Sequence, residues 1–564
     1  MTISFDFDFD SIVDSVKEFM SIPAVESAIS ILTAVFAVGL SIYFLLSAWA
    51  SSKYQSLKVS PPSQCDIDDF VDVQNNPPST LKVVATSSIQ LAGHQARTDH
   101  VIPLECTPSP HVDGLWVSRL AGSGSDGGGG EDEDGDAVVK PVEELLKKKG
   151  RTRGASSKPT VVVATLRMGF GHHRLAYSSA SWCLEQGYTT IFHDFLNVDS
   201  EERDLMKSVD EFYSKMSRLA SEWGGPIEKL WGLAMKQGDA DGLRIAALTA
   251  AHLVPLLNAY PKDTPLITTH QVVALTAAAA GFTNVVNLVV DNYPQWFLVV
   301  PKVLNIVQGP VNYQSFLKMG VPADQLKLAG HWCPTELVDN IDVDCTRRIK
   351  RANESPSKKP RRLLIPVGGA GAQRAFIVKL IEALSDKVKD GQVQLFLNAG
   401  DHVHMKKAFV DVLTKCDLDY DTVTTTQGVR DFQSNLLNDR SEPDKAITLF
   451  AFDEYFPAVA TTDILCRVAD VLTCKPSELA FYPLPKLHIR RVGDHEADSA
   501  RRAGELGCGT MEAREISDAM TYMDLFLQKP SDLLISFNEA VMTNNEVGIY
   551  DGCKNAVEFA VDAE

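Results

Sequence analysis

Positive charge is in short supply: 54 Lys and Arg face 73 Asp and Glu, for a formal net charge of -19. A chain this acidic lacks the footprint of a nucleic-acid binder, so nucleic acid is set aside as a partner. The 10 cysteines form no C-x-x-C pair and no cluster beside histidines. That argues against a disulfide framework or a structural zinc, and for reduced thiols facing the cytosol. No D-x-D stands out as a metal signature, so neither a metal nor a cofactor is expected. The sequon Asn353-Glu354-Ser355 is followed by Pro356 and speaks only weakly for a lumenal face. What remains is ordinary: 45% hydrophobic and 23% charged residues, enough for a sizeable core and two or three domains.

Charge is missing altogether from Ser27–Ala50, a stretch rich in Ile, Leu, Val, Phe and Ala. About 20 such residues span the hydrocarbon core as a helix, so 27–50 is expected to be a transmembrane anchor. The acidic tail 1–26, with Phe5-Asp6-Phe7-Asp8-Phe9-Asp10, lacks the basic n-region of a cleaved signal. Lys53 and Lys58 follow the span while Lys17 alone precedes it, which puts the bulk of the chain on the cytosolic side of a single-pass membrane protein. Residues 51–157 are expected to be a largely disordered linker, with Gly122–Asp136 of low complexity. A basic knot there (Lys147, Lys148, Lys149, Arg151, Arg153) is either solvated or in touch with anionic headgroups.

From Lys158 strands and helices alternate. Val161–Thr165 is an apolar, β-branched run suited to a buried parallel strand. Met168-Gly169-Phe170-Gly171 is a turn, and His172-His173-Arg174 opens a helix expected to stop at Gly187. A helix N-terminus after a glycine turn offers unpaired N–H groups to an anion, and a histidine there can move protons near neutral pH. The plain alternative is an ordinary βα turn. Met206–Met235 is helical and rich in large apolar groups, either as core or as a surface that meets lipid. Strands at 188–192, 265–269 and 285–290 end in Asp194, His270-Gln271 and Asp291-Asn292-Tyr293-Pro294. That gives a first α/β domain over 158–345. A polar hinge, 344–362, leads to a second domain over 360–555. Its opening strand runs into Gly368-Gly369-Ala370-Gly371-Ala372-Gln373-Arg374, and a helix is expected from Ser477. Ligands in such sheets gather at the carboxyl ends of the strands.

Read in order, these motifs resemble the glycosyltransferases that include plant monogalactosyldiacylglycerol synthase and the bacterial N-acetylglucosaminyltransferase that completes lipid II. Those begin with a strand and a G-G-G-H-R or G-T-G-G-H turn; here it is Gly169-Phe170-Gly171-His172-His173-Arg174. Val289–Trp296 is similar to their strand into T-D, then H-P and W. Leu472-Thr473-Cys474-Lys475-Pro476-Ser477-Glu478-Leu479-Ala480, Pro483-Leu484-Pro485 and Gly493-Asp494-His495-Glu496 are similar to their C-terminal A-G-P-G-T, G-L-P and G-Q-E stretches. The resemblance covers about 158–520. Two departures stand out: the glycine-rich donor loop is shortened to Pro476-Ser477, and His495 replaces a glutamine.

The resemblance implies two Rossmann-like domains facing each other across a cleft, the GT-B architecture. It implies transfer of a hexose or N-acetylhexosamine from a nucleotide sugar, UDP-linked by family default, to a lipid-linked acceptor. His172 is then the base, with His173 as the register alternative, and Asp291 orients that histidine or the acceptor. Gly169 and Gly171 form the turn. Gly369, Gly371, Arg374, Lys475 and Ser477 would face the departing diphosphate, Glu478 the ribose, and His495 and Glu496 the sugar. Two other readings stand beside it: a nucleotide-sugar epimerase of the same fold, and a non-catalytic membrane scaffold.

Overall fold

Val161, Val162, Val163, Ala164 and Thr165 are fully buried, as a strand covered on both faces requires. In the computed structural model they form a central strand of the first of two sheets. The structure describes residues 97–123, 139–146, 158–207, 249–250, 252–368, 373–438, 442–491 and 496–562, with Val38, Ser41 and Leu45 as isolated helical positions. Most of the expected span 27–50 lies outside the described residues, as do the basic knot, 208–235, Gly369, Gly371 and His495. Among the described residues no helix is long and apolar enough to cross a membrane.

The first lobe is built on β1 (Leu104–Pro108), β2 (Leu115–Leu120), β3 (Lys140–Pro141), β4 (Thr160–Thr165), β5 (Thr189–Asp194), β6 (Leu266–Thr268), β7 (Val285–Leu288), β8 (Leu304–Val307) and β9 (Leu326–Leu328). Their order is β3-β1-β2-β5-β4-β6-β7-β8-β9. From β2 onward every neighbouring pair is parallel, while β1 runs antiparallel to both β2 and β3. The second lobe has β10 (Arg361–Pro366), β11 (Val393–Gly400), β12 (Asp421–Val423), β13 (Ile447–Ala451), β14 (Val471–Cys474) and β15 (Lys486–His488). They pair in the order β12-β13-β11-β10-β14-β15, all parallel. From β4 the chain steps to β5 on one side and then to β6 on the other, and from β10 it builds β11, β12 and β13 on one side before β14 on the other. The reversal lies between β4 and β6 in the first lobe and between β10 and β14 in the second. Such switch points leave a crevice at the carboxyl ends of the strands.

Three expectations need correction. The supposed linker is in part structured: β1 and β2 extend the first sheet, and Arg119 pairs with Glu105 at 2.8 Å. A Pro-, Ser- and Gly-rich composition hid two short strands that gain stability only from the edge they join. The polar hinge begins as a helix hydrogen-bonded into the second lobe. Residues Ile341–Asn353 are helical, Arg348 donates to the carbonyls of Ala469 (2.8 Å) and Cys466 (2.7 Å), and Arg351 pairs with buried Asp470 at 2.9 Å. Arg361, fully buried, donates to carbonyls including those of Arg351, Ala352, Glu354 and Phe526. Its basic residues satisfy backbone acceptors that would otherwise be stranded.

The third correction concerns the end of the second domain. The last helix, Gly552–Val561, returns to the first lobe and packs on helix Phe170–Glu185. Asn555 donates to Ala329 O at 2.8 Å, and Gly552 N to His331 O at 3.1 Å. A Cβ on Gly552 would lie 2.5 Å from the carbonyl oxygens of Gly330 and His331, so only glycine permits this approach. Core residues of both lobes, among them Phe170, Trp332, Phe450, Leu479 and Tyr550, then form one continuous apolar cluster.

Candidate active site between the lobes

The first-lobe switch point is a compact hydrogen-bonded corner. Gly169 takes φ 77°, a left-handed conformation open to glycine, and lets the chain turn from β4 into helix Phe170–Glu185. That helix ends as the sequence implies, with Gly187 at φ 74° and its N–H on Leu184 O at 2.8 Å. At its start, His172 Nδ1 lies 2.5 Å from Thr269 O, just past β6. A carbonyl only accepts, so Nδ1 carries the proton and Nε2 is left as a base. Burial pushes the His172 imidazole below its ordinary value, despite the bond to Thr269 and the nearby charge of Asp291. It is neutral at pH 7. His270 sits beside it, ring centroids 4.4 Å apart. There Nδ1 accepts from Val272 N at 3.2 Å as the cap of the next helix, so the proton is on Nε2. Two neutral imidazoles of opposite tautomer therefore stand side by side, one a bare acceptor and one a donor.

His173 plays a different part. It is buried, with Nε2 3.1 Å from Asp194 Oδ2, and its ring meets Tyr177, Phe192 and Tyr455 edge-on. Burial would raise the Asp194 carboxyl, but His173 and the Leu196 N–H outweigh it and hold it below the usual range. Of the two register candidates, His172 is half-buried at the corner and His173 is packed into the core. Asp291 lies just beyond β7, close enough for its charge to act on His172.

From the same turn the chain reaches across to the second lobe. Phe170 lies against Gly400, whose φ is 64° and whose Cβ would stand 3.2 Å from the ring; it also contacts Tyr455 and His402. Tyr455 donates to Gly169 O at 3.2 Å. Arg174, buried, places Nη1 2.5 Å from Glu478 Oε1 and Nε 3.2 Å from Asp463 Oδ1, and Tyr482 donates to the same Asp463 oxygen at 2.9 Å. Burial works against each of these charges. The two carboxylates still raise Arg174 above its ordinary value, and Arg174 with Lys475 holds Glu478 below the carboxylate range. Asp463 is lifted by burial to about 6. A Cβ on Gly171 would meet Glu478 Oε2 at 3.3 Å, so that glycine leaves room for the carboxylate.

The second-lobe switch point lies opposite. His402 donates from Nε2 to Gly368 O at 3.0 Å, and a Cβ on Gly368 would lie 3.3 Å from Lys475 Cε. Lys475 Nζ pairs with Glu496 Oε1. Arg374 opens a helix of 16 residues, Arg374–Lys389, after Gln373 at φ 74°. Ser477 does not open a full helix as expected: Glu478–Phe481 is one 3-10 turn of 4 residues, because Pro483 and Pro485 follow at once. It carries little dipole, so a diphosphate there would depend on side chains. Among the described residues no group of three or more His, Cys, Asp or Glu side chains could hold a metal ion.

Of the site residues drawn from the sequence, Gly171, Glu478, Lys475 and Glu496 follow one another by contact or charge at the lobe boundary, and His172 lies within reach of the charges of Asp291 and Glu478. Sequence reasoning gave no role to Arg174, Asp463, His270, His402 or Tyr455. Arg174 belongs to the quoted turn and His270 was noted at a strand end, so both had a signal; Asp463, mid-helix, had none.

Comparison with known proteins adds the following. Residues 137–318 match a family model described as a domain of unknown function (DUF6937), and residues 321–561 match another, also a domain of unknown function (DUF6938). No curated protein sequence matches the chain. Among solved structures, it is similar to a UDP-GlcNAc 2-epimerase from Neisseria meningitidis bound to UDP-GlcNAc, at 12% identity and TM-score 0.38, over 71% of this chain and 99% of that one. It is similar to a glycosyltransferase from Rickettsia africae at 13% identity and TM-score 0.37, over 72% and 99%. The glycosyltransferase SnogD from Streptomyces nogalater follows at 13% and 0.35, over 72% and 100%. Scores this low carry no argument; the two-lobed class rests on the strand order and the facing switch points described above.

Proposed function

We propose that the chain is a glycosyltransferase that moves a hexose or N-acetylhexosamine from a nucleotide sugar, UDP-linked, to a hydroxyl of a lipid-linked acceptor. In this reading residues 27–50 anchor it in a membrane and the bulk of the chain faces the cytosol. The supporting observation is His172: a neutral imidazole, its Nδ1–H tied to Thr269 O, on the helix start whose Arg174 meets the second lobe. Nε2 takes the acceptor's hydroxyl proton as that oxygen bonds to the anomeric carbon. The bond from that carbon to the phosphate oxygen breaks, and the nucleoside diphosphate leaves with the electron pair. Lys475 and Arg374 are the cations assigned to that leaving charge, and Asp291 stabilises the imidazolium.

One observation favours a second reading, the non-catalytic scaffold: Glu478 is paired with Arg174 and Lys475 with Glu496, so two donor-site groups are engaged by the protein itself. Calorimetry of the full chain with UDP-, GDP- and dTDP-sugars separates the two. Binding, followed by sugar transfer from UDP-galactose or UDP-N-acetylglucosamine to diacylglycerol vesicles, supports the transferase. Interconversion of UDP-N-acetylglucosamine without acceptor, followed by NMR, would instead make it an epimerase. No binding of any donor would overturn both enzymatic readings.

A further inference from the structure

The guanidinium of Arg174 belongs to the first lobe, yet among the described residues every polar group it meets belongs to the second. These are Glu478 Oε1 at 2.5 Å, Asp463 Oδ1 at 3.2 Å and Val459 O at 3.4 Å. The side chain is 1% exposed. A buried cation must be paired, and among the described residues the first lobe offers this one no carboxylate. Its pairing exists only when the lobes are apposed as they are here. Three further features converge on the spot: Gly171 makes room for Glu478, Tyr482 holds Asp463, and Tyr455 reaches back to Gly169 O.

We propose that Arg174 is the pin that registers the two lobes across the crevice, a positioning residue for the site, and that Glu478 is its partner rather than a ribose ligand. Arg174 lies two residues after His172 on the same helix start, so fixing Arg174 to Glu478 fixes where the His172 imidazole stands relative to Lys475. Asp463 is the second anchor: it gives the guanidinium a second countercharge, on its Nε side. The inference rests on reading the crevice as the reacting site.

Hydrogen exchange followed by mass spectrometry on the full chain, without ligand, tests the pin directly. In Arg174→Met, peptides covering 169–178 and 455–482 should exchange about tenfold faster or more, while those covering β7–β8 and β10–β11 stay as in wild type. Arg174→Lys, which keeps the charge and loses the fork, should fall between. The isosteric Glu478→Gln should loosen the same two segments, and adding it to Arg174→Met should loosen them no further. Unchanged exchange at the lobe contact would overturn the proposal, and so would uniform acceleration through both lobes. With UDP-galactose turnover as a second readout, kcat of Arg174→Met should fall about tenfold with KM for the donor held within about twofold. If the wild-type chain turns over no nucleotide sugar, the reading of function fails while the exchange data still decide the pin.

Discussion

Replacing His172 with alanine separates chemistry from architecture. Its ring is half-buried, and its one hydrogen bond within the described residues runs to Thr269 O at 2.5 Å. Thr269 is itself fully buried, so removing the ring leaves its carbonyl unanswered. Stability should therefore fall by about 1–3 kcal/mol, the cost of a stranded acceptor. Transfer should fall by about 10²–10⁴, the usual share of a general base, which is about 3–5 kcal/mol of barrier at 1.36 per decade. The pH profile supplies the sign. A base must be deprotonated to act, and burial lowers this imidazole from its ordinary 6.5. The acid limb of kcat/KM should then lie below pH 6.5 and vanish in the variant. Donor affinity should stay within about twofold, since the cations assigned to the diphosphate are on the other lobe. The assay is transfer from UDP-galactose between pH 5 and 8, with calorimetry for donor affinity. A loss under about tenfold, or an acid limb above pH 6.5, would refute the reasoning.

Other outcomes follow from the same geometry. His173→Ala should act on stability instead: it empties a buried ring site and strips Asp194 of its imidazole, for about 3–5 kcal/mol by urea unfolding. Gly400→Ala forces alanine to φ 64° and pushes its Cβ to 3.2 Å from Phe170, costing about 1–2 kcal/mol for the backbone and about 1–3 more for overpacking. Phe170→Leu in that background should recover only the packing share. Asp463, raised from 3.8 to about 6, binds its proton more tightly folded than unfolded. Its contribution is full below pH 3.8 and is lost as pH rises through 6, about 3 kcal/mol in all. Urea midpoints from pH 4 to 7 should show that slope in wild type and its absence in Asp463→Asn.

Local pattern carried the first βα unit. A β-branched run, two glycines and a helix ending at Gly187 are consequences of steric preference over a few residues, and β4 and helix Phe170–Glu185 formed accordingly. The strands β6, β7 and β10 were legible for the same reason, since short apolar runs stopped by turn residues leave few alternatives. Which of two adjacent histidines is packed into the core was not: helix rotation is set by packing, and Tyr177, Phe192 and Tyr455 draw His173 inward.

Sequence alone thus determined the alternating α/β texture, the glycine turn after β4 and the histidines at the head of the first helix. Tertiary structure alone decided that Arg174 would find Glu478 across 304 residues of chain, and that Gly552 would bring the last helix home to the first lobe. The reason is physical: local conformation follows from neighbours a few bonds away. Partners hundreds of residues apart are chosen only when two folded surfaces meet and each buried charge must be answered.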